Sequence, residues 1–276
     1  MSKKRLDIIL VDRELIETRE KAKRVIMAGL VFSDQHRLDK PGMKVDEDIP
    51  LTVKGKLFPY VGRGGLKLEK ALTYFAISLK DRVMIDVGSS TGGFTDCALQ
   101  NGAQLCYAID VGYNQLDWKL RNDNRVVVME RTNFRNVTPD MISYGSPDFA
   151  TIDVSFISLT IILPVLSKLL KSNSDIVALI KPQFEAGRDQ VGKKGIVREK
   201  SIHLTVLRKI ADFAEKEGYQ LFNLTYSPIT GGEGNIEFLA HWGWKSDKEG
   251  ITPTDVELET IIDDAHHDLT EKKKNS

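Results

Sequence analysis

The chain has 276 residues, of which 41% are hydrophobic and 28% charged, and its formal net charge is zero, values ordinary for a soluble globular protein with room for one large domain and a small one. Its most apolar stretch, Phe156 to Leu166, is too short to span a bilayer and contains Pro164, and the start Met1-Ser-Lys-Lys-Arg is no secretory signal, so no membrane role and a cytoplasmic location are expected. Cys97 and Cys106 form no Cys-x-x-Cys pair and read as reduced structural thiols, and no metal site is expected.

Zero net charge conceals a gradient. Residues 1–70 hold 16 Lys and Arg against 11 Asp and Glu, while residues 246–276 hold 4 against 9. The basic front hints at a polyanionic partner for that part alone. Leu6, Ile9, Leu10 and Leu15 give a helical stripe there. A helix over 19–28 follows, with Thr18 as N-cap, Glu20 in the first turn and Gly29 as its stop. Leu30-Val31-Phe32 and Ile49-Pro-Leu-Thr-Val read as short strands. Taken alone, the lysines and arginines of the helix are equally consistent with a solvated face.

The run Thr18-Arg-Glu-Lys-Ala-Lys-Arg-Val-Ile-Met-Ala-Gly-Leu-Val31, with Arg37-Leu-Asp-Lys-Pro-Gly, resembles the αL RNA-binding motif shared by a small-subunit ribosomal protein, pseudouridine synthases and tyrosyl-tRNA synthetases. The resemblance implies a small α+β RNA-binding domain over residues 1–55. Arg19, Lys23 and Arg24 would face phosphates, helped by Lys3, Lys4 and Arg5, and Arg63 beyond the domain is a further expected RNA contact. Relatives usually carry an Asn-Gly-type turn where this chain has Asp34-Gln35-His36, which leaves the hairpin geometry open.

Pro59, Gly62, Gly64 and Gly65 break regular structure, so residues 56–65 read as a linker and 66–276 as the second domain. Lys67 sits in the Gly-rich turn, and a helix restarts over Leu66–Ala76. Apolar runs at 83–87, 105–109, 126–129, 149–152 and 176–180 then alternate with helix-length segments, clearest at Phe94–Leu99, Leu159–Leu170 and His203–Glu217. This alternation predicts an α/β fold, a doubly wound, mostly parallel Rossmann-like sheet. Thr252 to Thr270 would close the chain as an acidic helix with a frayed Lys-rich end.

Asp86-Val-Gly-Ser-Ser-Thr-Gly-Gly-Phe94 follows the first strand and opens a helix. Its glycines admit a close ligand, and the helix end offers free N–H donors. The spacing is neither G-x-G-x-x-G nor a P-loop. Asp110 ends the next strand, 22 positions after Gly88, where a carboxylate can hold ribose hydroxyls. These two signals alone suit S-adenosylmethionine and a dinucleotide equally.

The same segment, with Ala108-Ile-Asp-Val-Gly112, closely resembles the cofactor motifs of FtsJ-related ribose 2′-O-methyltransferases. Tyr60-Val-Gly-Arg-Gly-Gly-Leu-Lys-Leu68, Thr151-Ile-Asp-Val-Ser-Phe156, Ile180-Lys-Pro-Gln-Phe-Glu185 and Gly234-Asn-Ile-Glu-Phe238 extend the match to nearly the full chain, and with the first module it is identified as a member of the TlyA (hemolysin A) family of ribosomal RNA methyltransferases. The resemblance implies S-adenosylmethionine as cofactor and ribosomal RNA or ribosomal subunits as partner. It places Gly88, Ser89, Ser90, Gly92, Gly93 and Phe94 around the methionine part, beside Asp86. Asp110 would take the ribose, and Asn133 with Phe134 the adenine; related enzymes often carry Asp at the position of Asn133.

It also implies a catalytic Lys-Asp-Lys-Glu tetrad at Lys67, Asp153, Lys181 and Glu237. The residue types suit the chemistry, because a ribose hydroxyl must lose its proton as it attacks a methyl group. A lysine serves as base only where burial or a neighbouring cation favours its neutral form, while carboxylates act the other way. Lys181 is the expected base, with Lys67 as the like charge that depresses its pKa and as a holder of the nucleotide, and with Asp153 and Glu237 orienting both amines. Singly, each of the four reads equally as half of an ion pair. The loop from Gln183 to Lys200, with Arg188 and Lys193, reads either as an RNA-contacting lid or as plain disorder. Exocyclic-amine methylation lacks its usual Pro-Pro pair at Asp153-Val-Ser-Phe156. Carbon methylation needs a cysteine nucleophile, and both cysteines are expected in or beside the first helix, away from strand ends. A non-catalytic RNA-binding protein and, less so, a membrane-active haemolysin stand as the alternatives.

Overall fold

The computed structural model of the protein describes residues 3–54, 59–231 and 234–274; positions 56–58 of the expected linker, position 55 before it and positions 232–233 lie outside the described residues. The chain divides into two compact units, residues 1–63 and 64–276.

The first unit comprises β1 (Lys3–Arg5), α1 (Leu6–Asp12), α2 (Arg19–Met27), β2 (Val31–Ser33), β3 (His36–Arg37), β4 (Lys44–Asp46) and β5 (Thr52–Val53). Thr18 caps α2, its hydroxyl accepting from the Lys21 N–H at 3.2 Å, and Gly29 ends it at φ +70°. Strand β1 pairs antiparallel with β4, and β2 is flanked by β3 and β5. The rung Ser33–His36 leaves Asp34-Gln35 as a two-residue hairpin loop, with Asp34 at φ +52°. Aspartate tolerates that left-handed conformation, so it does the work of the missing Asn-Gly turn. Leu6, Ile9, Leu10, Ala22, Val25, Ile26 and Val31 form the core. Truncating one of its large members, Ile26→Ala for example, would cost about 2–5 kcal/mol.

The second unit opens with α3 (Gly65–Tyr74). It continues through β6 (Val83–Val87), α4 (Gly93–Gln100), β7 (Leu105–Ile109), α5 (Trp118–Arg121), β8 (Val126–Met129), β9 (Phe149–Ile152) and α6 (Leu159–Leu166). Then follow β10 (Ser174–Ile180), α7 (Pro182–Glu185), α8 (Lys200–Lys216), β11 (Tyr219–Tyr226), β12 (Phe238–Trp244) and α9 (Asp255–Lys274). The sheet order is β11-β12-β10-β9-β6-β7-β8, with β12 antiparallel to both neighbours and the other pairings parallel. The chain runs outward from β6 to β8, then returns to the other side of β6 as β9. That reversal is a topological switch point, where open sheets gather their ligands at the strand carboxyl ends. The strands are continuous apolar runs because both faces are covered, by α3 and α4 packed together and by the group α6, α8 and α9.

Four expectations shift. Lys67 lies inside α3, in its first turn two residues after Gly65, not in the glycine turn itself. Helix α6 stops at Leu166: Pro164 supplies no N–H, and the chain after it tightens into bonds such as Lys168 N–H to Val165 O. Helix α9 starts three residues later than expected and runs on through the lysines to Lys274. Cys106 is the second residue of β7, buried like Cys97 of α4.

Candidate active site

Asp153 and Lys181 are the first residues past β9 and β10, and so fall on the carboxyl edge of the sheet. Glu237 precedes β12, yet reaches the same edge because β12 runs antiparallel; the rung Ile180–Phe238 puts Lys181 and Glu237 one step beyond it on adjacent strands. Lys67 enters from the first turn of α3. Its Nζ donates to Glu237 Oε2 at 2.7 Å and to Asp153 Oδ2 at 3.3 Å, while Lys181 Nζ lies 2.5 Å from Asp153 Oδ1 and 3.3 Å from Ser155 Oγ. The sheet edge thus strings the four into one chain, Glu237–Lys67–Asp153–Lys181.

Lys67, Lys181 and Glu237 are all buried. Burial works against the Lys67 ammonium, but Asp153 and Glu237 outweigh it and hold its pKa above the usual lysine range. Burial also works against the Asp153 carboxylate, and the ammonium groups of Lys67 and Lys181 outweigh it, lowering its pKa. Two cations and two anions sum to zero, so the cluster tolerates its dry setting as a set. Deleting one member would leave an uncompensated buried charge.

The glycine-rich turn abuts this chain. Gly88 has φ +86°, and a Cβ there would fall 2.6 Å from the Asp153 carbonyl oxygen. Gly92, at φ +92°, sits over Leu116 and Leu120, and Gly93 opens α4, with Phe94 packed beneath Gly64. Ser89 is buried, and Ser90, at φ +47°, donates its N–H to Asp110 Oδ2 at 2.8 Å. Asp110 Oδ1 accepts from the Gly112 N–H at 2.7 Å. A carboxylate has about four acceptor sites, so Asp110 keeps capacity for a diol. A backbone cradle without Cβ atoms, a helix N-terminus and a half-used carboxylate together fit a nucleoside cofactor.

Other expected cofactor residues have different engagements. Asp86 is fully buried and accepts from the hydroxyls of Thr95 and Thr151, at 2.7 and 2.8 Å; burial, only partly offset by these bonds, raises its pKa to about 6. Asn133 accepts from the Arg135 N–H at 3.1 Å, capping a short 3₁₀ turn, and Phe134 is buried in the core.

The sequence of residues 60–244 matches the FtsJ-like methyltransferase model, and residues 4–48 match the S4 domain. YqxC of Bacillus subtilis, a candidate rRNA methyltransferase, is 62% identical over 98% of this chain and 97% of its own. The 16S/23S rRNA (cytidine-2′-O)-methyltransferase TlyA of Mycobacterium tuberculosis (strain H37Rv) is 42% identical over 85% of this chain and 88% of its own. The chain belongs to the TlyA group of FtsJ-like methyltransferases. A solved structure, a candidate hemolysin from Streptococcus thermophilus, superposes with a TM-score of 0.80 at 51% identity, covering 99% of both chains.

In this FtsJ-like methyltransferase the cysteines offer no nucleophile. Both are buried, and burial pushes the Cys106 thiol well up. Several site-forming residues escaped the sequence reading. Glu130, at the end of β8, accepts the backbone N–H groups of Asn114, Gln115 and Leu116 at 2.8, 2.9 and 3.2 Å, and Arg121 at 2.7 Å, fixing the loop that follows Asp110. These bonds hold its pKa down at about 2, led by the Arg121 contact. Glu185 joins α7 to α6, accepting from the Ser158 hydroxyl at 2.6 Å and the Leu159 N–H at 2.7 Å. Phe156 is 89% exposed at φ +63°, tilted against Phe184 with ring centroids 5.0 Å apart. A large exposed aromatic in a disfavoured conformation makes this surface a candidate for binding. The Phe after Asp153-Val-Ser was the available signal; Glu185 closes a motif of the resemblance, but neither glutamate's sequence context named its partners.

Most cations of the S4 unit are already paired. Arg5 and Arg19 both hold the buried Asp7, lowering its pKa to about 2 through the Arg5 hydrogen bond first, and remain 40% and 51% exposed. Lys4 pairs with Asp12 and Lys23 with Glu20. Arg24 donates to the Tyr60 carbonyl at 3.1 Å. Arg63 lines a groove of about 390 Å³ with Arg37 and Lys40. No helix among the described residues is long and apolar enough to cross a membrane.

Proposed function

We propose that this protein transfers a methyl group from S-adenosylmethionine to a ribose 2′-hydroxyl of ribosomal RNA, with cytidine as the target nucleoside and Lys181 as general base. The buried Glu237–Lys67–Asp153–Lys181 chain, set against the glycine cradle at Gly88, carries the reading. The relatives' names support the substrate class, and a cytoplasmic location follows from it.

Gly88, Ser89, Ser90, Gly92, Gly93 and Phe94 would hold the cofactor's amino-acid part and Asp110 its ribose, with Asn133 and Phe134 on the adenine side and Asp86 bracing the turn through Thr95 and Thr151. When bound, S-adenosylmethionine supplies an electrophilic methyl group on a sulfonium. The chain's own task is then positioning and proton removal. Lys181, having first released a proton of its ammonium to solvent, accepts the 2′-hydroxyl proton as that oxygen attacks, and Asp153 Oδ1 stabilises the ammonium so regenerated. Lys67, kept charged by Glu237 and Asp153, orients Asp153 and offers its positive charge to the developing oxyanion. Phe156 and Phe184 present an aromatic surface beside Lys181 on which an unstacked base can lie. Arg5, Arg19, Lys4, Lys23, Arg24 and Arg63 would meet phosphates from the S4 unit, and Arg188 and Lys193 from the catalytic unit.

The test is transfer of labelled methyl from S-adenosylmethionine to unmodified rRNA and to assembled subunits. The product is mapped by alkaline cleavage, which a 2′-O-methyl group blocks at one linkage. Label that appears without a protected linkage would exclude ribose as the acceptor, and no label on any rRNA would exclude the substrate class.

A further inference from the structure

The loop 187–198 carries Arg188, Lys193, Lys194 and Arg198, all exposed and all without an ion-pair partner among the described residues. This contrasts with the paired cations of the S4 unit. Nor is the loop loose. It forms two 3₁₀ turns, Arg188–Gln190 and Lys193–Gly195, and buries Ile196 and Val197. One side chain from another segment fastens it: Asn235 accepts the Val197 N–H at 3.1 Å through Oδ1 and donates through Nδ2 to the Gly195 carbonyl at 2.9 Å. His203 adds a contact to the Val197 carbonyl at 3.3 Å.

Asn235 is itself buried, at 3% exposure, two residues before Glu237. Its carbonyl accepts the Gly231 N–H at 2.9 Å, and Gly231 lies so close to the catalytic carboxylate that a Cβ there would fall 2.0 Å from Glu237 Oε1. The residue thus meets the basic loop on one side and the backbone leading to Glu237 on the other. The amide supplies its acceptor and its donor on separate atoms, one for each bond; aspartate lacks the donor, and an apolar residue would strand the buried Val197 N–H.

We infer that Asn235 is a positioning residue that couples the basic loop 187–198 to the Lys67–Glu237 pair, so that the grip of the loop on a phosphate backbone and the placement of the catalytic carboxylate are set together. The inference rests on the ribose-methylation reading for its substrate, and on geometry alone for the clamp.

The experiment compares full-length wild-type protein with Asn235→Ala, Asn235→Asp and the double variant Lys193→Ala/Lys194→Ala. The readouts are kcat and KM with rRNA, calorimetric binding of S-adenosylhomocysteine, and the rate of tryptic cleavage after Lys193 and Lys194. Asn235→Ala is expected to raise the RNA KM and lower kcat, each about ten-fold, to speed cleavage about ten-fold, and to leave S-adenosylhomocysteine affinity unchanged. Asn235→Asp, which keeps the bond to Val197, should fall between, and serves if the alanine variant does not fold. The lysine double variant should raise KM alone. Unchanged cleavage in both Asn235 variants overturns the clamp. Faster cleavage with unaltered kcat overturns the coupling to Glu237. If the wild-type enzyme methylates no rRNA, the functional reading fails while the cleavage comparison still decides the clamp.

Discussion

At the scale of single residues, the proposed catalytic chain holds together because each charge has a partner at hydrogen-bond distance. Lys181→Ala removes the proposed base and should lower kcat about 100- to 10,000-fold, with S-adenosylhomocysteine affinity intact in a calorimetric titration. Lys181→Arg should be no better, since a guanidinium keeps its proton at any workable pH. Full transfer by either variant would remove Lys181 from the proton path. Gly231→Ala tests packing rather than chemistry. Its methyl group collides with Glu237 Oε1, so the carboxylate must swing away from Lys67, and kcat should drop at least ten-fold in a protein with wild-type circular dichroism. A wild-type kcat would mean that the backbone yields instead.

At the scale of elements, two contacts make separate predictions. Glu130 binds three successive backbone N–H groups and so replaces water as the ligand of the loop after Asp110. Glu130→Ala should weaken S-adenosylhomocysteine about ten-fold while kcat at saturating cofactor stays within two-fold; the reverse pattern would place Glu130 in catalysis. The second contact joins α8 to α9, where His203 and His266 meet at 3.2 Å, with Lys200, Asp263 and Glu199 near His266. Burial first, then the His266 charge, lowers the His203 pKa from 6.5 to about 4. A depressed folded-state pKa means stability that is complete above pH 6.5 and lost as the pH falls toward 4, up to about 3 kcal/mol. Urea denaturation at pH 7.5 and 5 should show the loss, and His203→Gln should diminish it; a wild-type curve flat over that window would refute it.

At the scale of the whole molecule, an S4 unit and a catalytic unit each carry exposed cations, so RNA affinity should fall steeply with salt. Arg19→Ala with Arg24→Ala should flatten that dependence by about one log unit of slope per lost phosphate contact; an unchanged slope would take the first unit out of recognition. The fold was legible because buried parallel strands are unbroken apolar runs, and Asp153 and Lys181 because they follow such runs directly. Glu237 was reached only by resemblance, since nothing in its neighbours says that β12 runs backwards. Asn235 and Glu185 stand inside motifs of the resemblance, but their roles and that of Glu130 were not legible because the side-chain partners lie 9 to 40 positions away, and composition does not encode who meets whom. The resemblance has Arg19 and Arg24 facing phosphates, and nothing in the sequence signals that buried Asp7 holds Arg19, still half exposed, in a fixed pose with Arg5.

The reversed direction of β12 has a kinetic side. Glu237 meets Lys67 across 170 positions of chain, and only after β12 has slotted between β10 and β11 in a register where a slip of one residue would turn the carboxylate to the other face. Contacts this distant in sequence form late, because the intervening loop must close before they reward it. With Glu237 and the glycine turn in their proposed roles, a refolding chain that already has its parallel strands and that turn is an inactive methyltransferase with a cofactor cradle. Recovery of S-adenosylhomocysteine binding should run ahead of recovery of transfer, and the interval between them times the insertion of one strand.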